Sequence, residues 1–524
     1  MLRRARPRTW GSAALVLLWL AASSPLTSEQ PPSLEERIRE RLEAPAARRA
    51  VWGIDVVEIE SGQTIFQHNP DTLFVPASNA KLYATALALN RLGPDYRFTT
   101  RVVGEARVEE GVLGGSLRLI GGGDPNLSAR VIPYDPKIEY REDRLEPIRE
   151  LARQVAEAGV NHIEGDIIGD DTRFVWDPYP NGWSLDDVNW DYGAPVSALS
   201  VNDNRIEILV RPGAAGQPAR LRLKPEVDYY TFENRTETKT TRRVARRLEM
   251  RVRGPERIVD FWGEISIRSP GREMNAAIAE PALFAAIALK AELEALGITV
   301  DGKAKAAHSQ PYEFASLKDA KRKPEPEYPV MLAQIISPPL SDALSIVNKS
   351  SQNLHAEILL REVGYQRRGV GSLEAGIEEM RDFLEEAGLS PWEFYLSDGS
   401  GLARKNLVSP EASVKLLRSV WASDNRQVYV DSLPIGGEDG TLDWRFSRSP
   451  AKGRIHAKTG SLSHVTALSG YATRVDGTQL AFSAFVNNFG VSSSYIRKIL
   501  DDIIEDVVMT PGSEALSSSA AGSQ

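Results

Sequence analysis

The chain has 524 residues, of which 42% are hydrophobic and 26% are charged, and its formal net charge is −8. A chain of this length exceeds a single comfortable hydrophobic core, so we expect two or three domains. The acidic balance argues against a general nucleic-acid binder, and the absence of cysteine excludes thiol catalysis, disulfides and cysteine-ligated metal sites.

The first 28 residues have the order of a secretory signal peptide. Arginines precede an apolar stretch from about residue 11 to residue 22, and small or polar residues follow it. The apolar stretch is short for a membrane span, and retention as an uncleaved anchor is the alternative interpretation. We therefore expect a periplasmic or secreted protein of the cell envelope, with at most peripheral membrane contact.

A short hairpin is predicted after a helical lead at residues 34–42. Residues 51–59 have the composition of a strand, a turn follows, and residues 64–66 begin the return strand. Pro76 then suits the start of a helix, because its missing N–H would have no partner there anyway. The chain therefore enters this helix soon after a hairpin.

Ser78 and Lys81 lie at the start of this predicted helix. Residues three apart on a helix share one face, with Cβ atoms roughly 5 to 6 Å apart, so the hydroxyl and the amine can meet. A lysine whose pKa is lowered by burial and by neighbouring cations can be the base that a serine hydroxyl needs. An isolated Ser-x-x-Lys is more often an ordinary helix with two solvated side chains, so other motifs have to support the assignment.

Residues 97–317 differ in their pattern of predicted elements from the chain on either side. Short strand-like pieces alternate with turn residues, and two helices are predicted at residues 146–157 and 282–296. We therefore predict an inserted accessory region of mixed α and β structure, divided into two subdomains. Because the motifs that carry chemistry lie outside it, we expect this region to be dispensable for the covalent chemistry.

Two features of this region have alternative interpretations. Trp176, Trp183, Trp190 and Tyr192 are interpreted first as aromatic packing under a long loop, and a carbohydrate-like contact surface is the alternative. A run of arginines within residues 242–253 is interpreted first as a solvated strand face, and attraction to an acidic polymer is the alternative.

A charged and proline-rich stretch at residues 318–329 has the composition of a linker and marks the predicted end of the inserted region. Further helices and strands follow, at residues 342–348, 354–363, within 369–388, 455–460, 466–473 and 479–487, before a last amphipathic helix that includes residues 496–507. Residues 29–96 and 318–508 are therefore predicted to form one discontinuous domain. Residues 509–524 are predicted to be a disordered tail.

Two further motifs support Ser78. Ser351-Gln352-Asn353 lies at the junction of two helical segments, where a hydroxyl and an amide on a tight turn can point into one cleft. Lys458-Thr459-Gly460 lies on a predicted strand, where alternation sends Lys458 and Gly460 to one face. Each motif alone is weak, because Ser-x-Asn is a common cap and Lys-Thr-Gly a common strand end.

Together and in this order, the three motifs match the signature of serine penicillin-recognising enzymes. The chain resembles the D-alanyl-D-alanine carboxypeptidase/endopeptidase family, the class C low-molecular-mass penicillin-binding proteins, over nearly all of its length after the signal peptide. The resemblance extends to the stretches Gly121-Gly122-Gly123-Asp124-Pro125-Asn126-Leu127, Ser337-Pro338-Pro339-Leu340-Ser341, Asp398-Gly399-Ser400-Gly401-Leu402 and Gly437-Glu438-Asp439-Gly440-Thr441-Leu442.

The resemblance implies a fold of the α/β (α+β) class, with a penicillin-recognising transpeptidase-like domain. An antiparallel sheet would combine the N-terminal hairpin with the C-terminal strands, with the Ser78 helix on one side and the C-terminal helix on the other. The large mixed α and β insertion between the first and second motifs is also a feature of that family, whereas class A β-lactamases have these motifs close together.

The resemblance also implies a serine DD-peptidase that acts on peptidoglycan stem peptides ending in D-Ala-D-Ala and is inhibited by β-lactams, with no cofactor and no metal. The catalytic residues would be Ser78 as nucleophile, Lys81 as its base, and Ser351 as a bridge from Lys81 to the leaving amine. The substrate-binding residues would be Asn353 on the acyl side, Lys458 and Thr459 on the terminal carboxylate, and Gly460 with Ser461, whose N–H would complete an oxyanion hole with that of Ser78.

Three rival interpretations stay open at this point. A β-lactamase or esterase could use the same scaffold, and a non-catalytic wall-binding protein could retain a vestigial pocket, although its intact motifs argue against that. His355 or His456 could also be taken for the base of a Ser-His pair. We discount both histidines, because the chain contains no Gly-x-Ser-x-Gly elbow.

Overall fold

The structure is a computed structural model that describes residues 32–322 and 324–512. The predicted signal peptide and residues 513–524 of the predicted tail lie outside the described residues. The helices are α1 Leu34–Leu42, α2 Ala80–Leu92, α3 Glu146–Glu157, α4 Pro281–Ala295, α5 Leu340–Lys349, α6 Asn353–Arg368, α7 Leu373–Glu386, α8 Pro410–Trp421, α9 Arg426–Ser432 and α10 Ser493–Met509. The strands are β1 Val51–Glu58, β2 Thr64–His68, β3 Thr99–Gly104, β4 Val108–Glu109, β5 Val112–Leu113, β6 Leu117–Ile120, β7 His162–Ile163, β8 Ile167–Val175, β9 Arg205–Arg211, β10 Arg220–Lys224, β11 Thr231–Lys239, β12 Glu249–Arg253, β13 Ile258–Ser266, β14 Arg272–Ala277, β15 Thr299–Val300, β16 Ala304–Ser309, β17 Val330–Ile336, β18 Phe394–Tyr395, β19 Leu407–Val408, β20 Ile455–Leu462, β21 Val465–Thr473 and β22 Gln479–Asn487.

A five-stranded antiparallel sheet unites the two ends of the described chain. Its strand order is β2-β1-β22-β21-β20, so β1 from the N-terminal hairpin pairs directly with β22. Trp52, Ile54 and Val56 of β1 pack in one hydrophobic core with α1 and α10. Val57 turns to the opposite core, which contains α2 and its neighbouring helices. The fold class predicted from the resemblance is therefore confirmed.

Helix α2 is the centre of the helical layer. All of its residues from Ala80 to Leu89 are buried, because α2 lies between the sheet and a shell of helices that includes α5 and α6. Alanine and leucine favour a helix and carry no polar atoms that burial would leave unpaired. The residues that precede α2 are therefore held at a fixed place against the sheet.

The inserted region has its own hydrophobic core between helices and sheets. A mixed sheet of order β16-β8-β6-β3-β17 packs against α3 and α4, and a small sheet of order β15-β7-β5-β4 adjoins it. Two three-stranded sheets, β10-β9-β14 and β11-β13-β12, form the rest. Strand β17 pairs with β3, so this sheet continues beyond residue 317. The division into residues 29–96 with 318–508 and residues 97–317 stays a prediction.

The inserted region docks along α6. Arg173 of β8 forms an ion pair with the buried Glu362, at 2.6 Å, and the Arg361 guanidinium donates to the Asp177 carbonyl at 3.2 Å. Helix α6 begins at Asn353, so these contacts lie on the helix that carries the second motif.

The C-terminal end of the described chain is anchored. Helix α10 ends at Met509, and the buried Thr510 accepts a hydrogen bond of 2.6 Å from the Arg37 guanidinium. No helix within the described ranges combines the length and apolar character needed to cross a membrane.

Candidate active site

Ser78 lies in a tight 3-10 turn, Ala77–Asn79, immediately before α2. Ala77 adopts a left-handed backbone conformation with φ of 48°, which costs a non-glycine residue roughly 1 to 3 kcal/mol and therefore requires support from its surroundings. Part of that support comes from the Asn79 amide, which donates to the backbone carbonyl of Lys458 at 2.8 Å. The first and third motifs are thus joined by a buried hydrogen bond.

Two glycines allow the chain to approach this turn closely. A Cβ atom at Gly401 would lie 1.8 Å from the carbonyl oxygen of Ala77, and one at Gly460 would lie 2.5 Å from that of Pro76. Real Cβ atoms cannot come so close to a carbonyl oxygen, so both positions need glycine. The role of Gly460 in the third motif is consequently steric, since it lets β20 lie against the Ser78 turn.

The Lys81 ammonium is fully buried and holds three oxygen atoms around it. It donates to Ser78 Oγ at 3.1 Å, to Asn353 Oδ1 at 2.6 Å and to the carbonyl of Ser400 at 2.6 Å. None of these acceptors carries a charge. Lys81 therefore connects the nucleophile candidate to the second motif without forming an ion pair.

Burial without a counterion changes the protonation of Lys81. Burial lowers the pKa of Lys81 to about 7, against the weaker opposing effects of the Asp398 and Glu357 carboxylates. At neutral pH a large share of Lys81 side chains is then unprotonated and able to accept a proton. This direction was expected from the sequence. Of the two expected causes, burial lowers the pKa of Lys81, whereas the charged neighbours that act on it are carboxylates and oppose the shift.

A loop after β18 places the Ser400 carbonyl against Lys81. The buried Glu357 of α6 accepts the backbone N–H groups of Gly399 and Ser400 at 2.9 and 2.8 Å. Asp398 accepts those of Gly401 and Ala403 at 2.8 and 2.7 Å. Two buried carboxylates thus fix this loop by satisfying its backbone donors.

Ser351 and Lys458 form the other half of the site. The Lys458 ammonium is fully buried and donates to Ser351 Oγ at 2.8 Å. Burial holds the pKa of Lys458 well below its usual range, and the nearby Lys81 lowers it further. Ser351 has φ of 59°, a second left-handed non-glycine residue at the site. In this structure Ser351 bonds to Lys458, whereas Lys81 reaches the second motif through Asn353.

Two residues of the aromatic stretch in the inserted region contact the site. The Asn353 amide donates to the carbonyl of Tyr192 at 2.8 Å, and the Trp183 indole donates to Asp398 at 3.0 Å. Both partners come from the aromatic stretch that was interpreted as packing under a loop. These contacts bring the inserted region against a residue of the second motif, and the expectation that this region is dispensable for the covalent chemistry stays a prediction.

Asp203 of the inserted region holds the residues around the second motif. Its carboxylate, which is 2% exposed, accepts from Gln352 Nε2 at 3.1 Å, from His355 Nε2 at 2.9 Å and from Arg130 Nε at 2.8 Å. The Tyr140 hydroxyl is a further donor. Gln352 and His355 flank Asn353, so one carboxylate fixes both sides of it.

The two histidines considered as rival bases have other surroundings. His355 Nε2 is engaged by Asp203, and burial lowers the pKa of His355 against the opposing effect of that carboxylate. His456 forms an isolated bridge with Ile435 at the edge of the central sheet, and burial also lowers its pKa. Neither histidine forms a described hydrogen bond with Ser78.

The site opens into a cavity of about 320 Å³. It is lined by Ser78, Ser351, Thr441, Trp444, Arg445, Thr459, Ser461 and Arg497. The Thr459 hydroxyl bonds to that of Thr441 at 2.8 Å. The structure thus brings all eight residues selected from the sequence into one site, with Ser78, Ser351, Thr459 and Ser461 on the cavity wall.

Several residues that shape the site were missed or given no role. Asp398 and Ser400 stood in a stretch quoted only for its resemblance, and the glycines beside them were the available signal. Glu357, Tyr192 and Asp203 had no usable signal, because their importance depends on contacts between distant parts of the chain.

Comparison with known proteins identifies the family. Residues 34–506 match the sequence model of the D-Ala-D-Ala carboxypeptidase 3 (S13) family. The chain is 32% identical over 466 residues to a D-alanyl-D-alanine carboxypeptidase of Actinomadura sp. (strain R39), which covers 87% of this chain and 81% of that protein.

Solved structures agree on the fold. Penicillin binding protein 4 (dacB) from Haemophilus influenzae is similar with a TM-score of 0.75 and 23% identity, over 90% of this chain and 98% of that one. The same protein complexed with a β-lactam has a TM-score of 0.71 and 23% identity, over 90% and 97%. The chain belongs to the D-Ala-D-Ala carboxypeptidase 3 (S13) family, and its predicted enzyme class, a serine-type D-Ala-D-Ala peptidase, is confirmed.

Proposed function

We propose that this protein cleaves the bond between the two D-alanines that end peptidoglycan stem peptides, as a carboxypeptidase or a DD-endopeptidase, through an acyl-enzyme on Ser78. The observation that carries the proposal is the pair of contacts at the site: Lys81 Nζ lies 3.1 Å from Ser78 Oγ, and Lys458 Nζ lies 2.8 Å from Ser351 Oγ. A hydroxyl beside an uncharged buried amine is an activated nucleophile.

Acylation begins when Ser78 Oγ attacks the carbonyl carbon of the penultimate D-alanine. Lys81, unprotonated because burial lowers its pKa to about 7, takes the hydroxyl proton as the new C–O bond forms. The backbone N–H groups of Ser78 and Ser461 stabilise the oxyanion of the tetrahedral intermediate. Asn353 holds the acyl side through a hydrogen bond to the substrate amide.

The leaving amine then needs a proton. As the C–N bond breaks, the proton passes from Lys81 through the Ser351 hydroxyl to the nitrogen of the departing D-alanine. A hydroxyl suits this step, since it donates and accepts at the same time. Lys458 orients Ser351 through their hydrogen bond and, with Thr459, attracts the terminal carboxylate of the substrate.

Release of the acyl group completes the cycle. Water attacks the ester carbonyl, Lys81 accepts a proton from that water, and Ser78 recovers its hydroxyl as the shortened peptide leaves. A β-lactam ring presents an amide carbonyl and a carboxylate in a similar arrangement, so penicillins acylate Ser78 in the same way. The proposed location is the cell envelope, periplasmic or secreted, after removal of residues 1–28.

The decisive experiment is intact-mass spectrometry of the protein after mixing with benzylpenicillin. We expect one adduct with the mass of the whole inhibitor, on the peptide that contains Ser78, and release of D-alanine from diacetyl-L-Lys-D-Ala-D-Ala by the untreated protein. Absence of both would contradict the proposal. Loss of the adduct within seconds, with rapid turnover of penicillin, would indicate a β-lactamase instead.

A further inference from the structure

The cavity that contains Ser78 extends towards the first turn of α10. Trp444 and Arg497 line this cavity, and these two residues, with Arg445, also line an adjoining groove of about 640 Å³. The site is therefore open on this side, and its extension ends on an indole and a guanidinium. None of the three catalytic motifs includes either residue.

Arg497 has the chemistry of an anion-binding residue. Among the described residues, no carboxylate lies within ion-pair distance of its guanidinium, whereas the neighbouring Arg445 is paired with Asp501 and Lys498 with Asp502. The Arg497 Cζ atom lies 5.3 Å from the centre of the Trp444 ring, which is within the range of a cation–π contact. The guanidinium thus contacts an aromatic surface and has no carboxylate within ion-pair distance among the described residues.

The electrical environment of Arg497 also favours an anion. Partial burial lowers the pKa of Arg497, and the positive charge of Arg445 lowers it further, against the opposing effect of Asp501. A negatively charged ligand group would relieve that unfavourable field. Trp444 is 58% exposed, so a ligand can reach its face.

The position of this wall indicates which part of a substrate meets it. The Thr459 hydroxyl contacts Thr441, and Thr441 lines the same cavity as Trp444 and Arg497. In the proposed mechanism Thr459 and Lys458 hold the carboxylate of the residue that leaves. Asn353, which binds the acyl side, contacts Tyr192 of the inserted region instead. Trp444 and Arg497 therefore lie on the leaving-group side.

We propose that Trp444 and Arg497 form a subsite for the leaving residue and select leaving groups that carry a second carboxylate beyond the one bound by Lys458 and Thr459. This inference rests on the proposed function, because it uses the direction in which that function places the substrate. The side chain of the leaving residue lies along Trp444, and its anionic end pairs with the Arg497 guanidinium.

The test compares three peptides that differ in the leaving residue: diacetyl-L-Lys-D-Ala followed by D-Ala, D-Glu or D-Gln. D-Glu and D-Gln have the same shape, so the ratio of their kcat/KM values reports only the extra charge. For the unmodified protein we expect this ratio to be about ten, the effect of roughly 1.4 kcal/mol of differential binding. A ratio near one would overturn the proposal without any variant.

Two variants locate the effect. Arg497→Gln should reduce the D-Glu to D-Gln ratio to about one, whereas the charge-matched control Lys498→Gln should leave it near ten. A ratio preserved in Arg497→Gln, or lost equally in Lys498→Gln, would overturn the assignment. If D-Ala release and the penicillin adduct are present but selectivity is absent, only the subsite fails. If all three are absent, the proposed function fails with it.

Discussion

Two buried charged clusters lie close together in this protein and are built in opposite ways. Lys81 and Lys458 donate only to uncharged oxygens, so burial is not compensated and the pKa of each lysine falls. Asp203 lies among donors that include Arg130. A buried charged group without a counterion has a shifted pKa and can take part in chemistry, whereas a buried charged group that is fully paired stabilises the fold.

Asp203 is the buried charged group that is paired. Burial alone would raise the pKa of this carboxyl, but Arg130 and His355 outweigh burial and hold its pKa well below the usual range. Asp203 is consequently ionised at neutral pH. It connects the inserted region to Gln352 and His355, on either side of Asn353.

The largest expected effect is that of replacing Ser78, which should abolish activity and leave the fold intact. Ser78→Ala should abolish the covalent benzylpenicillin adduct and D-alanine release, because no other described side chain occupies the position of the nucleophile. Its melting temperature should change little, since a single hydroxyl at a helix start contributes modestly to stability. An adduct of full yield on the alanine variant would show that the nucleophile lies elsewhere.

The second prediction concerns the pH dependence of acylation. Lys81 acts as a base only when unprotonated, and its folded pKa is about 7. The acylation rate should therefore rise with pH and level off above pH 8, and at pH 5 it should be about a hundredfold below the plateau, because two pH units separate pH 5 from that pKa. Stopped-flow measurements with a chromogenic cephalosporin check this, and a rate independent of pH between 5 and 8 would contradict it.

Lys458→Ala separates the two roles given to the second lysine. If Lys458 attracts the terminal carboxylate, kcat/KM on a free-carboxylate substrate should fall by about 30- to 100-fold, equivalent to roughly 2 to 3 kcal/mol for a hydrogen bond to a charged group. The matched substrate amidated at its C-terminus should lose much less. Equal losses on both would mean that Lys458 acts only through Lys81 and Ser351.

Asp203→Ala should reverse the pattern of Ser78→Ala, with a large loss of stability and a small loss of rate. Removing the carboxylate breaks the fully buried ion pair of Arg130 and leaves the half-exposed Glu139 as its remaining described acidic partner, which costs about 3 to 5 kcal/mol of unfolding free energy. Acylation by the folded fraction should slow by only about fivefold to tenfold, through looser placement of Asn353.

Asp171→Ala is the matched control for Asp203. Asp171 is also a buried acid of the inserted region, but it pairs with His308 and Ser197 and lies away from the second motif. It should lower stability and leave the acylation rate of folded protein unchanged. If both variants slow acylation equally, the effect of Asp203 is not specific. Asp203→Asn, which keeps one acceptor oxygen, supplies a folded variant if the alanine variant does not fold.

The sequence predicted what local patterns encode. The spacing of Ser78 and Lys81, the alternation around Lys458 and the strands that became β20, β21 and β22 all reflect short-range geometry. No helix or strand was predicted between residues 389 and 454, where α8 and α9 lie. Ser409, whose hydroxyl accepts from Ala412 N at 3.0 Å, was the available signal for the start of α8, because serine is a favoured N-cap.

Long-range contacts account for what the sequence left out. The carbonyl of Tyr192 and the carboxylate of Asp203 reach the second motif because the inserted region packs on α6. The hydrogen bond between Ser351 and Lys458 joins two segments that are distant in the chain. The sequence around Asp203 and the sequence around Gln352 have no common pattern, so the contact between these two residues could not be predicted from the sequence. The expectation that the insertion is independent of the site arose from the position of the motifs in the sequence, which carries no information about such docking.

The pairing of β1 with β22 has a consequence for the order in which the protein can mature. A chain made from its N-terminus exposes one free edge of β1 until residues 479–487 are available, and only then can the sheet that carries Lys458 close. Contacts between such distant segments form slowly, and an open strand edge invites pairing with other chains. Interrupted synthesis should therefore yield an aggregation-prone fragment and not a partial enzyme, so peptidase activity would arise only once β22 has been made and has paired with β1.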